Sequence, residues 1–324
     1  MLNPPLLSVN NLEIAFKLDE GLFRAVSKVS FELEAGKTLG LVGESGSGKS
    51  LTALSLLRLI PEPGSITQGE IKFNGEDILK FADKNMRALR GNNISMIFQE
   101  PMTSLNPVLT IGEQIAEALT IHDKATKRDA QQKAIAMLDR VGIPDAALRA
   151  LDHPHNLSGG MRQRAMIAMA LICKPDILIA DEATTALDTT VQAQILDLLI
   201  DLEHEFNMAI LFISHNLGVV SEIADDVMVM YGGRIMEASP APLLFDAPQH
   251  PYTQVLLSTL PNPALRGQPL TVIEGSVPTR YDLLAGCRFA PRCNRAIEQC
   301  MAADISLVDI APNQRSACIN MAGQ

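Results

Sequence analysis

The chain has 324 residues, enough for one large domain and a smaller one. Its 47% apolar content supports a buried core, yet no run approaches 18 uninterrupted apolar residues, which excludes a bilayer-spanning helix. A net charge of −10 speaks against a nucleic-acid surface and against adsorption to anionic lipid, so any membrane contact would go through a protein. The segment Met1–Pro5 has neither the basic stretch nor the apolar run of a secretory leader, so export is not expected.

Residues 7–42 read as short strands, with Val26–Leu33 alternating at period two. The apolar run Thr38–Val42 delivers the chain into Gly43-Glu44-Ser45-Gly46-Ser47-Gly48-Lys49-Ser50, a Gly-x-x-x-x-Gly-Lys-Ser phosphate-binding loop. Its glycines allow successive backbone N–H groups to face one point, and the helix opening near Gly48 adds its positive end. Lys49 is placed to pair with the β- and γ-phosphates, and the Ser50 hydroxyl to ligate Mg²⁺. The helix is expected to run to about Ile60, where Pro61 and Pro63 stop it.

A strand at Ile94–Phe98 ends at Gln99, and residues 100–173 are mainly helical: Ile111–Leu119, Lys127–Val141 and Met161–Cys173. Leu157-Ser158-Gly159-Gly160-Met161 opens the last of these and offers backbone donors and a hydroxyl to an anion, although the same residues suit a plain helix cap. Ile177–Ala180 is a buried parallel strand ending in Asp181 and Glu182. Asp181 suits Mg²⁺ and Glu182 suits polarising a water, the groups phosphoryl transfer requires; alone, the pair could equally cap a helix. A helix follows with Val191, Ile195, Leu198, Leu199 and Leu202 on one face, then a strand at Met208–Ser214 and His215. Val227–Tyr231 and Arg234–Glu237 form a hairpin around Gly232-Gly233.

After Phe245 prolines multiply and periodicity is lost, so the boundary between a domain at 1–245 and an extension at 246–324 is placed there. Four of the five cysteines lie in this tail with spacing C-x5-C-x6-C-x17-C: Cys287, Cys293, Cys300 and Cys318. Disulfides are disfavoured in a cytosolic chain, and the tight knuckles of structural zinc sites are absent. A 4Fe–4S cluster also takes four thiolates and tolerates looser spacing, so by spacing alone the cluster, zinc and unligated thiols all remain open. Cys173 reads as a buried core thiol.

The order of these motifs resembles the ATP-binding-cassette (ABC) ATPases. Ser158-Gly159-Gly160 resembles their signature motif, which touches ATP held by a partner's phosphate loop. Gln99 is similar to the Q-loop glutamine, which contacts the metal. Ala186-Leu187-Asp188 resembles the D-loop, and His215 the switch histidine at the γ-phosphate. Phe16 stands where such proteins stack an aromatic on adenine, with Phe23 a competitor, and Leu51 completes the loop's contacts. The resemblance implies an α/β P-loop NTPase fold: a RecA-like core, an antiparallel β subdomain and a helical subdomain near 100–173. A loop-rich, cysteine-containing C-terminal extension follows them.

Phe98-Gln99-Glu100-Pro101-Met102-Thr103-Ser104-Leu105-Asn106-Pro107 and His250-Pro251-Tyr252-Thr253 resemble the ATPases of dipeptide and oligopeptide importers nearly end to end. That branch implies ATP-driven peptide import through two membrane-spanning permease subunits and a second ATPase chain, related but different. It also implies an extracytoplasmic binding protein and a position on the cytoplasmic face of the plasma membrane. It further implies a 4Fe–4S cluster on the four tail cysteines. Nickel, glutathione, opines or antimicrobial peptides are alternative cargoes. A soluble repair or translation ATPase lacks support, because no second cassette, coiled coil or basic arm is visible. A non-hydrolysing cassette is opposed by intact Lys49, Asp181, Glu182 and His215. Two departures stand out: Ala183 in place of the usual proline after Glu182, and Asn216 in place of the usual aspartate after His215.

Overall fold

A computed structural model describes residues 4–99, 104–185, 188–260, 275–302 and 304–321. Residues 1–3 of the Met1–Pro5 segment, Glu100–Thr103, Ala186 and Leu187, named above, and Pro261, Pro263 and Pro269 among the prolines after Phe245, lie outside the described residues. The chain divides into two compact units, the first comprising 1–33, 38–79 and 212–324, the second 34–37 and 80–211.

In the first unit β1 (Leu7–Leu18) and β2 (Gly21–Leu33) form a hairpin whose partners run from Leu18↔Gly21 to Leu7↔Leu33. In β2 the stretch Val26–Leu33 mostly alternates buried and exposed, the pattern its sequence predicts. The entirely buried β3 (Thr38–Val42) leads to the phosphate loop and to α1 (Lys49–Leu56). β4 (Gly64–Phe73) pairs antiparallel with β1, and the short β5 (Glu76–Asp77) with β4. The resulting sheet, β2-β1-β4-β5, is the antiparallel layer.

α1 stops at Leu56, a turn short of the expected Ile60. Arg58 adopts φ +51°, the Leu59 N–H bonds back to the Leu54 carbonyl at 2.9 Å and the Arg58 N–H to that of Ser55 at 3.0 Å. This is a Schellman closure with arginine where glycine is usual, so the chain turns before either proline is reached.

The second unit contains α2 (Asp83–Leu89), then β6 (Ile94–Ile97) and three helices: α3 (Ile111–Ile121), α4 (Lys127–Arg140) and the short α5 (Ala146–Arg149). Thr110 and Glu113 form a reciprocal capping box on α3, and Thr126 caps α4. α6 (Gly159–Leu171) carries the Ser-Gly-Gly segment, and β7 (Ile177–Asp181) pairs in parallel with β6. Ile195, Leu198, Leu199 and Leu202 of α7 (Thr189–Phe206) are buried, as their helical spacing requires. Cys173 is buried, and burial pushes its thiol up, in keeping with a core role.

β8 (Ala209–Ser214) carries the chain back toward the first unit, followed by α8 (Leu217–Ile223). There β9 (Asp226–Tyr231) pairs in parallel with β3 and antiparallel with β10 (Arg234–Pro240). The segment beyond 246 is more ordered than its prolines suggest. It follows α9 (Ala241–Asp246) and contributes α10 (Pro251–Ser258), α11 (Glu298–Ala302), β11 (Val308–Ala311) and β12 (Gln314–Ser316). β12 pairs with β10 through Glu237↔Ser316 and Ala238↔Arg315, so the tail lengthens the sheet that contains β9 and β3. Among the described residues no helix is long and apolar enough to cross a membrane.

Candidate functional site

In the first unit the phosphate loop follows β3 with Gly43, Gly46 and Gly48 at φ +154°, +77° and +104°. A Cβ on Gly43 would lie 2.1 Å from the Met230 carbonyl oxygen, whereas one at Gly46 would meet nothing within 4 Å. The first glycine is therefore demanded by the close approach of β9, and the second leaves the loop's outer side open. Gly48 stands immediately before α1, whose first residue is Lys49.

Lys49 is only 5% exposed, and its Nζ donates to the carbonyls of Gly43 (2.8 Å) and Glu44 (3.0 Å), which hold the ammonium over the loop. The Ser47 hydroxyl is buried with no hydrogen-bond partner among the described residues, a spare polar group inside an anion-binding turn. Ser45 is exposed, Ser50 half-buried, and Leu51 follows on α1. The Gly232-Gly233 turn supports the loop from below: the Gly233 N–H donates to the Ser47 carbonyl at 2.8 Å, and the Ser27 N–H to that of Gly233 at 2.8 Å.

Phe16 is half-buried at the end of β1, opposite both Phe23 and Gly64, and a Cβ on Gly64 would strike its ring. Phe23 is engaged elsewhere, 5.3 Å from the Tyr281 ring and beneath the Arg280 guanidinium. His215 is exposed just beyond β8. Asn216 caps α8 by accepting the Gly218 N–H at 2.9 Å, a task asparagine performs as well as aspartate.

In the second unit Asp181 closes β7 at 4% exposure. Glu182 follows at φ +50°, a left-handed conformation costly for a residue with a Cβ. Its carboxylate accepts from Gln99 Nε2 at 2.8 Å and from the Thr185 hydroxyl at 3.1 Å. Gln99 and Glu182 are thus brought together directly. Neither acidic residue serves as the cap of α7: that is Asp188, whose side chain accepts the Val191 N–H at 2.9 Å. Ser158 caps α6 through the Met161 N–H, with Ser158 and Gly159 exposed, while a Cβ on Gly160 would press on Val191.

Two contacts of the loop escaped sequence reasoning. The Glu44 N–H donates to the Tyr252 hydroxyl at 3.0 Å, and Arg292 Nη1 reaches both Glu44 carboxylate oxygens at 2.9 and 3.0 Å. The His250–Thr253 phrase pointed to Tyr252 only as a mark of a protein branch; Arg292 carries no signal at all.

Around them the tail is tightly packed. Tyr231 meets Tyr252 and Phe289 edge to face, Tyr252 and Phe289 pack at a tilt, His250 is fully enclosed, and burial pushes its imidazole down to about 3. The buried Glu237 carboxylate accepts the N–H groups of Gln249 and His250 at 2.8 Å each, and burial raises its pKa.

Cys287, Cys293, Cys300 and Cys318 line a single cavity of about 10 Å³ together with His250, Phe289 and Arg295. Burial pushes the Cys287 thiol up to about 11 and raises those of Cys293 and Cys318. Four soft donors on one cavity match the ligand chemistry of an iron–sulfur cluster. The space, however, is that of one water, and among the described residues no three His, Cys, Asp or Glu side chains are grouped to hold a metal ion. The arrangement therefore gives no support to the expected 4Fe–4S site.

A family profile described as "ABC transporter" matches residues 26–185, and one described as "Oligopeptide/dipeptide transporter, C-terminal region" matches residues 236–300. The Dipeptide transport ATP-binding protein DppD of Escherichia coli (strain K12) is 46% identical over 313 residues, 97% of this chain and 96% of that one. A Brucella melitensis protein provisionally named as a peptide import ATP-binding protein, BMEII0863, is 50% identical over 331 residues, 98% of each chain. Among solved structures, the dimeric MJ0796 ABC transporter cassette has a TM-score of 0.66 at 24% identity, covering 72% of this chain and 98% of that chain. CbiO1 from Clostridium perfringens has a TM-score of 0.64 at 23% identity, covering 76% of this chain and 92% of that chain; at such identities both show the fold. The chain belongs to the ABC transporter family, as an ATP-binding subunit of its oligopeptide/dipeptide branch.

Proposed function

We propose that this chain is the ATP-hydrolysing subunit that energises import of di- and oligopeptides through a membrane ABC transporter. The observation that carries the reading is the phosphate loop with Lys49 held over it, in a chain similar along 97% of its length to a dipeptide transport ATP-binding protein.

In this reading Gly43, Ser45, Gly46, Ser47, Gly48, Lys49, Ser50 and Leu51 receive the phosphates, and Phe16 stacks on adenine. Phe16 is favoured over Phe23 because Tyr281 and Arg280 already occupy the Phe23 ring. Ser50, Gln99 and Asp181 are hard oxygen donors of the kind Mg²⁺ takes, and the ion would neutralise phosphate charge. Glu182 is the base that polarises the attacking water, and its bond to Gln99 fixes the carboxylate's direction. His215 contacts the γ-phosphate. Ser158, Gly159, Gly160 and Asp188 act on nucleotide held by a second ATPase subunit, and the solvent exposure of Ser158, Gly159 and Asp188 in this chain suits that role.

The partners in this scheme are two permeases, a related second ATPase and, indirectly, an extracytoplasmic binding protein. The chain would sit on the cytoplasmic face of the plasma membrane. Affinity purification of the tagged chain from gently solubilised membranes, with companions identified by mass, tests it. Two multi-spanning permeases and a second ATPase are expected, and their binding protein can then be screened with peptides against nickel. Recovery with ribosomal or DNA-repair proteins would sink the importer reading.

The four tail cysteines are proposed, on donor chemistry alone, to hold a 4Fe–4S cluster that cross-links the tail. Iron and acid-labile sulfide assays on anaerobically purified chain test this. Zinc in their place, or thiols that all react with an alkylating reagent, would rule it out.

A further inference from the structure

The C-terminal tail fastens the phosphate loop at Glu44. Glu44 makes three kinds of contact: its N–H donates to Tyr252, its carboxylate receives Arg292, and its carbonyl accepts from Lys49 and from the Ser47 N–H. The first two partners belong to the tail and the last two to the phosphate-binding turn. Arg292 is itself held, through the Tyr231 hydroxyl at 3.3 Å and the Gly275 carbonyl at 3.2 Å, and its side chain is almost wholly buried. A buried guanidinium bonded to both oxygens of one carboxylate fixes direction as well as charge.

An acidic side chain within a loop that receives triphosphate is an electrostatic liability. Left alone, its charge opposes the incoming phosphates across a short, partly desolvated distance. Arg292 cancels that charge and holds the carboxylate in place, while Tyr252 fixes the peptide whose carbonyl steadies the Lys49 ammonium. We propose that Arg292 is a positioning residue for nucleotide binding: by pairing with Glu44 it neutralises and orients the phosphate loop, so that the C-terminal tail sets the affinity of the ATP site. The proposal rests on the ATPase reading above and adds to it a residue more than 240 positions downstream of the loop.

The test is a double-mutant cycle in the full chain, read as KM and kcat for MgATP hydrolysis. Arg292→Ala is expected to raise KM at least about fivefold while kcat changes less than about twofold, because the loss falls on phosphate binding and not on the reacting groups. In a Glu44→Gln background, where no charge needs balancing, the same Arg292→Ala change is expected to shift KM less than about twofold. An equal rise in both backgrounds, a fall in kcat alone, or no rise would overturn the role. Where Arg292→Ala does not fold, Arg292→Lys is read the same way: a KM rise that vanishes with Glu44→Gln supports the role, and an unchanged KM removes it. Unaltered chain that fails to bind ATP would overturn the ATPase reading itself, and this role with it.

Discussion

Gln99 Nε2 donates a 2.8 Å hydrogen bond to the Glu182 carboxylate, joining a residue just beyond one β-strand to the acid after its parallel neighbour. Glu182 reaches this bond from a left-handed backbone that few side chains adopt. Such an arrangement holds a carboxylate in one direction at the expense of local strain, which suits the role of base proposed for Glu182.

Glu182→Gln is therefore expected to lower kcat for ATP hydrolysis by roughly 10²–10³-fold while ATP affinity stays within about twofold. Gln99→Ala, which leaves the base present but less constrained, should lose about tenfold. Phosphate release under saturating MgATP checks both, and a Glu182→Gln enzyme at full rate would remove Glu182 from the mechanism.

Gly43 faces a backbone carbonyl, which cannot swing aside as a side-chain tip would. Gly43→Ala is expected to destabilise the chain by about 2–4 kcal/mol in urea unfolding, whereas Gly46→Ala, with open space around it, should cost about 1 kcal/mol. Equal losses at the two positions would contradict the assigned packing.

His250 supplies a pH dependence. In the unfolded chain its imidazole takes a proton near 6.5, while the folded site pushes it down to about 3. Between those values the unfolded state binds more protons, so stability falls as pH drops through 6.5. The expected loss is about 1.4 kcal/mol between pH 7.5 and 5.5. Burial raises the neighbouring Glu237, which acts in the opposite sense where it titrates, so the comparison that isolates His250 is with His250→Gln. Unfolding midpoints at the two pH values should converge in that variant.

Asp188 offers a separation of roles. As the cap of α7, its replacement by alanine should cost about 1 kcal/mol, while Asp188→Asn keeps the acceptor and the stability. If Asp188→Asn nevertheless slows hydrolysis, the charge itself acts in the assembled transporter; if it does not, Asp188 is a cap and nothing more.

Local chemistry explains what was readable in advance. The phosphate loop, the acidic end of β7 and the Ser158 cap are written in consecutive residues with backbone requirements of their own. The end of α1 was hidden because Arg58 takes the left-handed position without the glycine that normally announces it. β11 and β12 are short and exist by pairing, β11 with β12 and β12 with β10, an arrangement no local period reveals. The Arg292–Glu44 pair spans 248 positions, and nothing near either residue in the chain points to the other. The cysteines were read from spacing, which brought them to one cavity but could not tell how their sulfurs would be disposed.

The pairing of β12 with β10 has a consequence for the order in which the protein is made. Tyr281 donates to the Ala25 carbonyl and Arg288 to the Ser27 hydroxyl, so β2 waits for residues 256 and 261 positions downstream before these contacts form. Until then a nascent chain would expose the open edge of β10, the kind of surface that pairs with the wrong partner. The phosphate loop is synthesised 248 positions before the arginine proposed to balance it, so emergence of the nucleotide motif alone would not complete the ATP site.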